Sequence, residues 1–107
     1  MKLVYAIVNR DDSTKVQIAL INEGFQVTKL ASTGGFLKAG NTTFIIGVED
    51  EKVDEVIEII KTHSSKRAKM IPAGGAFSDG IYNGYPIEVS LGGATVFVTN
   101  VEQFRKL

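Results

Sequence analysis

The chain has 107 residues, with 12 Lys and Arg against 12 Asp and Glu, one histidine and no cysteine. Thiol catalysis, a cysteine-ligated zinc and a disulfide framework are excluded, and the neutral balance lacks the basic excess that a duplex or an anionic membrane would demand. A chain of this length predicts a single domain over residues 1–107, able to bury roughly 60 to 70% of its unfolded surface without metal or disulfide support.

Residues 3–8, Leu-Val-Tyr-Ala-Ile-Val, read as a buried strand. The run is too short for a signal core and no later stretch is long enough to span a bilayer, so the expected compartment is the cytoplasm, with no membrane partner. Asn9 to Ser13 supply polar capping residues, Asp11 and Asp12 being the expected caps. Val16, Ala19 and Leu20 then recur at helical spacing, predicting a helix of about 10 residues that stops at Gly24. Residues 25–30 alternate as a second strand. A glycine-rich loop with Phe36-Leu37 at its tip leads into residues 42–48, which are β-branched and aromatic on both faces. Glu49-Asp50-Glu51 places negative charge at the start of a second helix carrying Val53, Val56, Ile57 and Ile60.

From residue 62 to residue 84 the periodicity is lost, which predicts a long loop and a candidate ligand lid or partner-contact segment. Lys66, Arg67 and Lys69 form a small basic cluster in it, expected to be solvated. Residues 85–91 alternate, and Gly92-Gly93 joins them to residues 94–99 as a C-terminal hairpin with a two-residue turn. Residues 101–107 are expected to form a turn of helix.

The chemistry concentrates around the first glycine loop. Gly34-Gly35 can present consecutive backbone N–H groups to an anion, Phe36 offers a face to a base, and the Asn41 carboxamide both donates and accepts. Residues 35–42 copy the G-x-x-x-x-G-K-[ST] spacing, but Asn41 stands where the lysine belongs and strand residues follow where a helix should start. That rejects a triphosphate-hydrolysing loop and leaves nucleotide binding. His63 has no triad, metal partner or paired carboxylate at a recognisable spacing, so no catalyst is assembled around it. A single-stranded RNA module is disfavoured by the lone aromatic Phe44 in residues 42–48 and by the zero net charge.

The element order predicts an α+β, ferredoxin-like (βαββαβ) sheet with both helices on one face. Ile45 and Gly47 would then lie on the other face, opposite Phe44, Ile46 and Val48, so an isolated copy would leave apolar sheet in water. Self-association into a closed ring or trimer is the expected remedy.

With the glycine loop, the Asn41-Thr42-Thr43-Phe44 run and residues 92–98 (Gly-Gly-Ala-Thr-Val-Phe-Val), the chain resembles, nearly end to end, the PII-like cyclic di-AMP receptor proteins of Gram-positive bacteria. The resemblance implies a non-enzymatic signal-transduction receptor, a homotrimer of ferredoxin-like subunits holding one cyclic di-AMP at each subunit interface, with no cofactor beyond that ligand. It implies contacts at Thr28, Gly35, Phe36, Leu37, Asn41 and Gly47, and at Gly92 and Phe97 across the interface. Gly24, Gln26 and Lys106 depart from some relatives, which carry Asn, Arg and Gln there; a lost arginine weakens phosphate pairing. Ordering of the loops around the ligand would change contacts to an unknown downstream protein. The alternative is a PII-type sensor of ATP or another mononucleotide.

Overall fold

The computed structural model describes residues 1–30, 40–72 and 86–107. Strand β1 (Lys2–Asn9) leads to helix α1 (Arg10–Asn22), then β2 (Val27–Leu30) and β3 (Asn41–Val48). A 3-10 turn at Asp50–Lys52 runs into α2 (Val53–His63), followed by β4 (Arg67–Pro72), β5 (Pro86–Leu91) and β6 (Ala94–Asn100). Four strands form an antiparallel sheet in the order β2-β3-β1-β6. This is the expected α+β, ferredoxin-like arrangement, with β6 in the place of the last strand.

The apolar alternation of β1 and β3 builds the core. Val4, Ala6 and Val8 from β1 and Phe44, Ile46 and Val48 from β3 are buried together with Val16 and Leu20 of α1 and Val56 and Ile60 of α2. Spacings of four along each helix and of two along each strand put these side chains into one layer between sheet and helices. Phe25, Val27, Val53, Ile59 and Val96 close its margin.

Helix α1 is longer than expected, 13 residues, and its N-cap is Asn9, whose side-chain oxygen accepts the Asp11 N–H at 2.8 Å. Asp12 is not a cap, because the Asn9 carboxamide already satisfies the first turn and Asp12 points inward, 1% exposed. At the other end Gly24 stops the helix as expected: its φ of +88° suits glycine, and its N–H donates to the Ile21 carbonyl at 2.9 Å.

Three expectations fail in the C-terminal half. Residues 62–84 do not run as one loop, for α2 continues to His63 and Arg67–Pro72 is a strand; residues 73–85 lie outside the described ones. The C-terminal hairpin is not formed either. β5 pairs in antiparallel register with β4, from Arg67↔Leu91 to Pro72↔Pro86, while β6 pairs with β1, from Lys2↔Asn100 to Val8↔Ala94. The free edge of β1 offers seven residue pairs to β6, and β4 offers β5 a partner of its own length, so Gly92-Gly93 becomes a corner between two sheets. Residues 101–107 form no helix.

Candidate functional site

Because Val4, Ala6, Val8, Phe44, Ile46 and Val48 face the helices, strand alternation puts Leu3, Tyr5, Ile7, Asn9, Asn41, Thr43, Ile45 and Gly47 on the opposite face. Register extends that face across the sheet. Thr28 is paired with Ile45, Ile45 with Tyr5 and Tyr5 with Phe97, so one row runs Thr28, Ile45, Tyr5, Phe97. Leu30, Thr43, Ile7 and Thr95 form the next row towards the glycine corner. No helix covers this face among the described residues: Phe97 is 48% exposed and Leu30 39%. The apolar outer face expected from residues 44–48 is therefore present.

At its upper end the face opens into a cavity of about 450 Å³, whose wall includes Ile7, Asn9, Asn41 and Thr95 from the sheet and Lys66, Gly92 and Gly93 from the corner above it. Asn9 and Asn41 are directly opposed in the β1–β3 ladder. The Asn9 oxygen is taken by the Asp11 N–H, whereas the Asn41 carboxamide makes no hydrogen bond among the described residues. Among the described residues, then, nothing takes up the donor or the acceptor of Asn41, and the simple turn-residue role, which would consume them, is not seen. Thr43, next on the same face, is only 6% exposed and its hydroxyl has no partner among the described residues. An unpaired buried hydroxyl costs about 1–3 kcal/mol, so an added acceptor there is rewarded.

The glycine corner is built by a pair that the sequence hides. Arg67 Nη2 and Nη1 donate to Asp12 Oδ1 and Oδ2 at 2.9 and 3.1 Å, a bidentate fork onto a buried carboxylate, and Nη1 also donates to the Ser65 carbonyl at 3.2 Å. The hydrogen bond to Asp12 is the main cause that raises the Arg67 pKa above its ordinary value, so the guanidinium stays charged. Arg67 is thus exposed as expected, at 42%, but it is a paired charge rather than a free one. Gly92 fills the remaining space: at φ +81° a Cβ there would stand 2.5 Å from the Ser65 oxygen and 2.6 Å from Arg67 Nη1. The Gly93 N–H donates to the Ser64 carbonyl, which ties the strand-to-strand corner to the end of α2.

Of the eight residues expected at a ligand, the structure brings Asn41 and Gly92 together in the cavity wall and places Thr28, Gly47 and Phe97 on the same open face. Gly47 lies at the far end of that face, beside Gln26 and Gly24 in a second cavity of about 300 Å³. Among the described residues a Cβ at Gly47 would touch only Leu3 Cδ1, at 4.0 Å, so none of them demands glycine there. Gly35, Phe36 and Leu37 lie outside the described residues. His63 is exposed, its Nδ1 2.9 Å from the Ile59 carbonyl at the end of α2, and no group of three or more His, Cys, Asp or Glu fit to hold a metal occurs among the described residues.

Residues 1–107 match the family described as cyclic-di-AMP receptor. The chain is also similar to a protein from Pediococcus pentosaceus ATCC 25745, known by its crystal structure and described as functionally unknown. The two share 44% identity, the match covers 99% of this chain and 96% of the other, and the TM-score is 0.78.

Proposed function

The chain belongs to the cyclic-di-AMP receptor family, and from that premise we propose that it is a non-enzymatic receptor binding cyclic di-AMP on the helix-free face of its sheet. The observation that carries this reading is the Asn41 carboxamide in the wall of the 450 Å³ cavity, without a partner among the described residues. A carboxamide can pair with adenine N6 and N7 at once, an interaction that discriminates bases by about 1–3 kcal/mol in nucleic-acid complexes. The Thr43 hydroxyl adds an unpaired group nearby, and Phe97 and Tyr5 offer aromatic surface on the same face. Contacts are proposed at Thr28, Gly35, Phe36, Leu37, Asn41, Gly47, Gly92 and Phe97, those of Gly92 being confined to its backbone because its side-chain space is already filled.

The face is too open to enclose a dinucleotide alone. Packing of a second and third copy against it would remove Leu3, Tyr5, Ile45 and Phe97 from water and close the site, which supports a homotrimer with the ligand between subunits. Gly47, which no described residue requires to be glycine, suits the close approach of ligand or neighbour. Ligand-dependent ordering near the glycine loops would then alter contacts to a downstream protein in the cytoplasm.

Calorimetric titration with cyclic di-AMP, run beside ATP and read together with the mass in solution, tests this. Binding of the cyclic dinucleotide by a trimer is expected, with Asn41→Ala weakening it about tenfold or more while the melting temperature without ligand holds. No heat with cyclic di-AMP refutes the receptor reading, and tight ATP binding that displaces the cyclic ligand moves it to a mononucleotide sensor.

A further inference from the structure

We propose that Lys66 is the cationic contact of this site, pairing its ammonium with a phosphodiester oxygen of the bound cyclic dinucleotide; the inference rests on the receptor reading and deepens it. A cyclic dinucleotide brings two negative charges, yet none of the eight residues assigned to it above is a cation, and the chain has no net positive charge to draw an anion in. Among the described residues Lys66 is the one charged side chain in the wall of the Asn41 cavity, and no carboxylate lines it. Its ammonium makes no ion pair among the described residues. The adjacent cation, Arg67, is committed to Asp12, so of the two only Lys66 is available to a ligand.

Its position is fixed at the root. The Ser65 carbonyl accepts from Arg67 Nη1 on one side, and the Ser64 carbonyl accepts from the Gly93 N–H on the other. Its stem lies along the glycine corner, with Cβ and Cγ each 3.9 Å from where a Gly93 Cβ would be. A lysine whose backbone is held and whose stem is packed loses less freedom on pairing than one on a free loop, and a charge-assisted hydrogen bond to a phosphate oxygen is among the stronger polar contacts. The same arrangement joins ligand to structure: a phosphate bound by Lys66 bears on the residue next to the Asp12–Arg67 pair, where β4 begins.

The test is titration of the full chain with cyclic di-AMP at low and at moderate salt, comparing wild type with Lys66→Gln, Lys66→Arg and, as a charge control outside the wall of the Asn41 cavity, Lys15→Gln. Lys66→Gln is expected to weaken binding about tenfold at low salt and to flatten the salt dependence, Lys66→Arg to stay within about threefold of wild type, and Lys15→Gln to match wild type. Wild-type affinity and salt response in Lys66→Gln overturn the assignment while leaving the receptor reading intact. Equal losses in Lys66→Gln and Lys15→Gln overturn it too, as a general charge effect. Absence of binding by the wild type overturns the receptor reading, and this inference with it.

Discussion

In the four-stranded sheet, β1 and β3 are paired on both sides and one face is sealed by α1 and α2, whereas β4 and β5 pair only with each other and join the rest at a corner made by Asp12, Arg67 and Gly92. The first region is held by burial of ten apolar side chains that no single contact dominates. The second depends at its root on one forked ion pair and one glycine whose neighbours leave no room for a methyl group. Redundancy in one and single points of dependence in the other predict that mutations will fail in different ways.

Phe44→Ala, at a fully buried ring, is expected to have the largest effect, a loss of about 3–5 kcal/mol felt by every element in chemical denaturation. Gly92→Ala comes next, at about 2–4 kcal/mol, because the new methyl meets the Ser65 oxygen and the positive φ strains any other residue. If that variant melts like wild type, the corner is not the constraint described. Arg67→Ala leaves the Asp12 carboxylate buried without its cation; a fall in melting temperature of about 5 °C is expected, with faster amide exchange in 67–72 and 86–91 while β1 and β3 keep their protection. Uniform acceleration across both sheets would erase the contrast between them.

The smallest effect lies at the Met1 ammonium, 2.8 Å from Asp50. Their hydrogen bond raises the amine above its ordinary 8.0 and lowers the carboxyl below its ordinary 3.8. The amine's contribution is complete below pH 8.0 and is lost as pH climbs through its raised value; the carboxyl's is complete above pH 3.8 and is lost as pH falls through its lowered value. Asp50→Asn should therefore lower the melting temperature by only about 1 °C, and only between these limits, since both groups are open to solvent screening.

How far the sequence discloses each region follows from the same contrast. The apolar run of residues 3–8, the β-branched and aromatic run of residues 42–48 and the spacings Val16/Leu20 and Val56/Ile60 announce β1, β3, α1, α2 and the core between them, because buried positions must be filled by apolar side chains. β4 leaves only a faint mark: Arg-Ala-Lys-Met alternates for four residues before Ile-Pro breaks the pattern, and its strand character comes from pairing with β5. Gly92-Gly93 even points the wrong way, since two glycines at positive φ suit a tight hairpin as well as the corner they form. In the cavity wall, Asn41 is marked in the sequence by its place after a glycine loop. The Asp12–Arg67 pair was not, because its members stand 55 positions apart and each has a plainer local reading, as a cap and as a solvated charge.

The pairing of β1 with β6 has a consequence for synthesis. Lys2 meets Asn100, 98 positions later, and its strand is the inner one on which both β3 and β6 must settle. The ribosome therefore releases the final edge long after the strand that waits for it, and until then the hydrogen-bonding flank of β1 is open to any extended peptide nearby. The four-stranded sheet is therefore complete only after β6 has been made.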